Sequence, residues 1–190
     1  MKKTFASFPN MLLIGSSGRN AGKTHLATSI IRNNLHRTDI IGLKVTTIES
    51  KDGTCPHGKK GCGICSSMEG NHLLLEEDDT AQEKDTSLLL QAGAKRVFWL
   101  IVLEDKLDEG AKKLQDTIPD NSVIVAESNR LRLAVRPGLF IMLINPKSRI
   151  KQSAARVRSL ADLIIETDGQ SFALPIESIR YSSQGWKFEK

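Results

Sequence analysis

A short apolar run, Met11-Leu-Leu-Ile14, passes directly into Gly15-Ser-Ser-Gly-Arg-Asn-Ala-Gly-Lys-Thr-His25, and apolar residues then recur at helical spacing at Leu26, Ile30 and Ile31. A buried strand, a glycine-rich turn and a helix, in that order, leave few folds open. The rest of the chain repeats the alternation. Strands are expected at 10–15, 39–47, 72–75, 96–103, 122–126, 139–144 and 163–166. Helices are expected from residue 22 to about 37 and at 85–93, 107–114 and 153–160. A turn led by Pro175 and an edge strand near Trp186 close the chain. Strands alternating with helices predict an α/β fold, with a mostly parallel sheet covered by helices on both faces. The 190 residues suit a single domain, 1–190, with a sizeable core, interrupted by a Gly- and Cys-rich insertion at about 49–71.

The glycine-rich turn carries the first chemistry. Gly22-Lys23-Thr24 has the form of the end of a phosphate-binding loop, and the strand before it and helix after it are the context such a loop needs. The usual pattern has glycine six places before the lysine. Ser17 stands there, with Gly15 and Gly18 on either side. Backbone N–H groups from Gly18, Arg19, Asn20, Ala21, Gly22, Lys23, Thr24 and His25 can converge on phosphate oxygens. Lys23 would meet the β- and γ-phosphates and Thr24 would offer its hydroxyl to Mg²⁺. The plain alternative is an ordinary strand-to-helix turn with an exposed lysine. A P-loop NTPase fold is therefore expected.

Such a site needs a metal-side acid on a neighbouring strand. Glu127, at the end of the apolar run Ser122-Val-Ile-Val-Ala, is the candidate, directly or through a water. The alternative is that it caps the next helix with Ser128 and Asn129. Lys23 and Glu127 are the expected catalytic pair. Lys44 falls near the carboxyl end of a central strand, where ligands collect in open α/β sheets, and could neutralise a phosphate or a second substrate. It could equally snorkel at the sheet edge. Asp85 reads as a helix cap, a position Thr86 could hold instead, or as part of a nucleotide-sensitive loop. Asn145, after the apolar run 139–144, is a candidate for reading the base. Pro146 breaks the guanine-specific pattern, so the residues leave GTP and ATP both open.

Charge is uneven along the chain. The net charge is +5, and 128–161 carries eight basic residues and no acid, whereas 76–85 is strongly acidic. A solvated face is the plain reading of such runs; a surface for a phosphorylated ligand or an acidic partner is the functional one. Phe140 is the single aromatic residue of the basic segment, which argues against a base-stacking platform for nucleic acid. The longest apolar run, Val97 to Leu103, is too short to span a bilayer. Ser7, Pro9 and Asn10 break the stretch after Lys2 and Lys3, so no signal peptide is read and the cytoplasm is expected.

All three cysteines lie in Cys55-Pro-His57-Gly-Lys-Lys-Gly-Cys62-Gly-Ile-Cys65. In a cytosolic protein this clustering points to a metal rather than a disulfide. Cys55, Cys62 and Cys65 with His57 could hold Zn²⁺, or the three thiolates an iron–sulfur cluster. A redox-active or merely reduced loop is the alternative.

The segments Lys84-Asp85-Thr86 and Gln91-Ala-Gly-Ala94 resemble the "KDS…AGA" stretch of the MobB family, the accessory GTP-binding proteins of molybdopterin-guanine dinucleotide biosynthesis. Ile41-Gly-Leu-Lys44 resembles its "VGxIKH" strand, and Val125-Ala-Glu127 the strand ending in "VEG". The order of the segments agrees over roughly the first two-thirds of the chain. The chain departs from the family at Ser17, at Val45-Thr-Thr47 and at Asn129-Arg130, and the cysteine loop lies outside the likeness. The resemblance implies a P-loop NTPase that binds GTP with Mg²⁺ and assists a cofactor-biosynthesis enzyme, with a second copy of the chain as a further candidate partner. The wider group includes dethiobiotin synthetase, which implies an ATP-dependent kinase or ligase as the other option. A metal-binding module switched by nucleotide is the third.

Overall fold

The computed structural model describes residues 5–49 and 68–189. Seven strands form one sheet: β1 (Ala6–Ser16), β2 (Ile40–Ile48), β3 (His72–Glu77), β4 (Arg96–Leu103), β5 (Val123–Glu127), β6 (Val135–Ile144) and β7 (Leu163–Glu166). Their order is β3-β4-β2-β5-β1-β6-β7. Every pairing is parallel except β3 with β4. The fold is thus α/β with a mostly parallel sheet, a Rossmann-like arrangement.

Side-chain alternation sorts the strands between two cores. On one face Leu12, Ile14, Val123, Val125, Ile141 and Leu143 pack with Leu26, Ile30 and Ile31 of α1 (Lys23–Asn34) and Leu89 of α2 (Asp85–Gln91). On the other, Met11, Leu13, Leu43, Ile124, Phe140 and Met142 pack with Leu107, Ala111 and Leu114 of α3 (Leu107–Thr117) and with Leu131 and Val157. No helix among the described residues is long and apolar enough to cross a membrane.

The expected strands and helices are present, with two corrections. Helical spacing over 153–160 yields only one turn, α4 (Gln152–Ala155), then a 3₁₀ turn at Arg158–Leu160. Val157, between them, leaves helical geometry at φ −121° and ψ −5°, and its side chain is fully buried. The strand at Trp186 is not an edge of the main sheet. It is β9 (Gly185–Phe188), paired antiparallel with β8 (Ile179–Ser182) in a separate hairpin. Asn34, buried at the end of α1, holds the hairpin: its Nδ2 donates to Ile179 O and its Oδ1 accepts from Tyr181 N. The Trp186 indole N–H donates to Asn10 O at 2.9 Å.

Candidate functional site

At the centre of the sheet the carboxyl end of β5 lies between β1, where Ile14 is beside Glu127, and the middle of β2. Lys44 on β2 is directly opposite Glu127 on β5. Leu43 and Val45 belong to the α3-side core, so Lys44 faces the α1–α2 side. Val123 and Val125 belong to the α1–α2 core, so Glu127, in step with them, faces the same way. Both side chains are therefore aimed at the N-termini of α1, which begins with Lys23 and Thr24, and α2, which begins with Asp85.

The charged groups meet there. The Thr24 hydroxyl lies 3.0 Å from Asp85 Oδ1 and 3.1 Å from Glu127 Oε2, and its single proton serves one of them. Lys44 Nζ pairs with Asp85 Oδ2 and lies 3.4 Å from Glu127 Oε2. Lys23 Nζ donates to Ser16 Oγ at 2.7 Å. Glu127 is fully buried and its Oε1 has no hydrogen-bond partner among the described residues.

Burial raises the Glu127 carboxyl above the ordinary glutamate range, although the Lys44 ammonium pulls it down; the Asp85 charge adds to the rise. Burial also tends to raise Asp85, but the charge and hydrogen bond of Lys44 and the Thr24 hydroxyl outweigh it, leaving Asp85 below the usual carboxylate range. Burial lowers Lys23 below the ordinary lysine range; Glu127 opposes this, while Lys44 and Lys151 reinforce it. For Lys44 burial is outweighed by Glu127 and Asp85, so it stays charged to higher pH.

The turn 15–25 wraps over this cluster. Asn20 and Gly22 have positive φ, 56° and 78°. The turn packs backbone to backbone against Gly169: a Cβ on Gly22 would lie 2.9 Å from Gly169 O, and one on Gly169 2.5 Å from Asn20 O. A side chain fits at neither position. The resulting cavity of about 570 Å³ is lined by Arg19, Asn20, Ala21, Gly22, Lys23, Thr24 and His25, together with Lys44, Asp85, Glu127 and Gly169. Gly18 belongs to the turn but not to the lining. The His25 ring packs on Phe172, centroids 5.3 Å apart.

Asn145 falls elsewhere, in a neighbouring hollow of about 300 Å³ with Pro146, Lys147, Asp168 and Phe172. Its Oδ1 accepts from Lys147 N at 2.9 Å. Cys55, His57, Cys62 and Cys65 lie outside the described residues.

Two expectations about caps are corrected. Neither Asp85 nor Thr86 caps α2. Lys84 holds the cap position without a side-chain hydrogen bond, and the Thr86 hydroxyl donates to Glu77 Oε2. Asp85, one residue inside the helix, is released to the cavity. Glu127 does not cap the 3₁₀ turn at Arg130–Leu133 either; Asn129 holds the cap position without a side-chain hydrogen bond, and Ser128 Oγ accepts from Leu131 N at 3.2 Å. Much of the basic segment is structural: Arg130 and Arg156 share Glu104, and the Arg132 guanidinium lies over the Phe140 ring.

A magnesium ion is the metal that a phosphate loop implies. Thr24, Asp85 and Glu127 converge as hard oxygen donors, and the unpartnered Glu127 Oε1 is a free carboxylate oxygen among them, so the donor set fits. Among the described residues no group of three or more His, Cys, Asp or Glu side chains could hold a metal. Two carboxylates and a hydroxyl, completed by substrate phosphates and water, are the set magnesium accepts.

No family model, no curated protein and no solved structure matches the chain.

Proposed function

We propose that this chain is a P-loop NTPase that binds a purine nucleoside triphosphate with Mg²⁺ at the carboxyl ends of β1 and β5, beside Lys44 of β2. The observation that carries the reading is the convergence of Lys23, Thr24, Lys44, Asp85 and Glu127, drawn from four separate segments, on one cavity under a glycine-rich turn. A fully buried carboxylate, Glu127, and a partly buried one, Asp85, beside two lysines are costly to the fold, and a site explains why they are there. Lys23 would leave Ser16 Oγ for the β- and γ-phosphates, and backbone N–H groups of the turn would take the remaining oxygens. Thr24, Asp85 and Glu127 would hold the metal, which when bound offsets phosphate charge. The nucleobase would occupy the second hollow, beside Asn145 and Phe172.

GTP is favoured by the resemblance of the Lys84-Asp85-Thr86 and Val125-Ala-Glu127 segments to the MobB family. The role would then be that of a slow GTPase serving a molybdenum- or other metal-cofactor enzyme in the cytoplasm. One observation supports a second reading, an ATP-dependent kinase or ligase similar to dethiobiotin synthetase. Lys44 stands inside the cavity beside the acids, where it could also bind an acidic second substrate. The Cys55–Cys65 segment would add a zinc or iron–sulfur site, of about one equivalent per chain, whose release is expected on joint substitution of Cys62 and Cys65 by serine.

A thermal-shift screen of GTP, ATP and other nucleotides, with and without Mg²⁺, tests the reading. A rise in Tm that needs both nucleotide and Mg²⁺ is expected. No rise with any nucleoside triphosphate would contradict it. Turnover with a small acidic substrate would favour the kinase or ligase over the accessory GTPase.

A further inference from the structure

Ser17 replaces the glycine of the usual loop pattern, and its surroundings give that replacement a purpose. The residue is 1% exposed. Its N–H donates to Leu143 O at 2.8 Å, at the end of β6, and its carbonyl accepts from Lys151 N at 2.9 Å, at the start of α4. A glycine would make both of those bonds. The hydroxyl adds a third: Ser17 Oγ accepts from Asn145 N at 3.1 Å. Asn145 opens the segment 145–151, turns on its own side chain to Lys147 N, and lines the second hollow with Pro146 and Lys147. The segment is therefore pinned to the phosphate turn at Asn145 by the hydroxyl and at Lys151 by the carbonyl.

The turn's own start is equally fixed from the other side. The Asn129 carboxamide grips Ser16, accepting from its N–H at 2.7 Å and donating to its carbonyl at 2.9 Å. Ser17 is thus the point at which a rigidly held phosphate turn passes its position on to the wall of the neighbouring hollow. Removing the hydroxyl leaves Asn145 N–H without its acceptor, a loss felt at that wall and not in the phosphate cradle.

We propose that Ser17 is a positioning residue that couples the two hollows, so that a ligand spanning both, a purine nucleoside triphosphate, binds more tightly than its phosphate chain alone accounts for. The inference rests on the nucleotide reading and assigns the serine the role of matching base wall to phosphate turn. Ser17 acts through Asn145 and touches no ligand itself.

The test compares Ser17→Gly and Ser17→Ala with the unaltered chain in calorimetric titrations of Mg–GTP, Mg–ATP and Mg–tripolyphosphate. Tripolyphosphate fills only the phosphate cavity. In both variants the affinity for the preferred nucleotide should fall about tenfold, the loss expected for one missing hydrogen bond. Tripolyphosphate affinity should change less than twofold. Agreement between the glycine and alanine variants assigns the split to the hydroxyl rather than to loop flexibility. Equal losses for nucleotide and tripolyphosphate, or no loss for either, would overturn the coupling while leaving the nucleotide reading intact. An unaltered chain that binds tripolyphosphate but no nucleotide would overturn both.

Discussion

The same three strands build two unlike regions. In their middles, β1, β2 and β5 present Met11 to Ile14, Ile40, Ile41 and Leu43, and Val123 to Ala126, all buried and apolar. A few residues on, β2 supplies Lys44 from its midpoint and β5 supplies Glu127 as its last residue, beside Lys23, Thr24 and Asp85, and one buried carboxylate oxygen is left without a partner among the described residues. The middle lowers the free energy of the folded chain by removing apolar area from water. The end raises it, because two carboxylates and two ammonium groups lose hydration that their mutual attraction only partly restores. The difference separates what the fold needs from what the site needs, and each region can be perturbed without the other.

The largest effect is expected in the apolar core that these strand middles share with β6. Phe140 is fully buried between β1 and the Arg132 guanidinium. Phe140→Ala should cost about 3–5 kcal/mol of stability in urea unfolding. The molecules that remain folded should bind nucleotide as before. At the end the pattern should reverse. Glu127→Gln removes a buried charge while Lys44 keeps Asp85 as its partner, so Tm should hold or rise. Mg²⁺-dependent nucleotide binding should weaken by about 2 kcal/mol, the loss of one charged ligand. A fall in Tm comparable to that of Phe140→Ala would erase the distinction between the regions.

These regions differed in how far they could be read in advance. The middles were legible because apolar runs alternating with helical spacing report burial directly, and β4 was expected and found over the same residues. The placement of Lys23, Thr24 and Glu127 followed from a turn between strand and helix and an acid at a strand end. Asp85 was only half legible, as a helix cap or as part of a nucleotide-sensitive loop. It lies 61 residues from Thr24, and only the packing of α2 on the sheet turns a candidate cap into a partner of Thr24 and Lys44. The parity of β2 is the signal that could have helped: Gly42 and Lys44 share a face, and a Cβ on Gly42 would press 3.2 Å from Leu89, so α2 must cover that face. The hairpin at Trp186 was misread because alternation reports a strand but not its partner, which Asn34 decides through tertiary hydrogen bonds.

Two smaller effects sharpen the contrast. Burial holds the Glu127 carboxyl above the ordinary glutamate range, so its proton competes with a cation at higher pH than a surface glutamate would allow. Mg²⁺-dependent binding should therefore weaken as pH falls through that raised range, because protonation removes the ligand charge. Asp85, held low, should contribute only at more acid pH. In Glu127→Gln the upper part of this profile should be flat. Outside both regions, Lys112 and Asp116 form an exposed pair one helical turn apart. Lys112→Ala should change stability by about 0.3–0.5 kcal/mol and binding not at all.

The central claim, that buried charge at the strand ends is there to hold a magnesium nucleotide, is tested most directly by calorimetric titration of Lys23→Ala beside the unaltered chain, each with GTP and ATP at saturating Mg²⁺. Lys23 donates only to Ser16 Oγ among the described hydrogen bonds, so its removal should leave the fold in place. The unaltered chain should bind one nucleoside triphosphate, and Lys23→Ala should bind it about 2–5 kcal/mol more weakly, the usual consequence of truncating a charge that faces a buried counter-charge. Unchanged affinity in Lys23→Ala, or no binding of either nucleotide by the unaltered chain, would contradict the account.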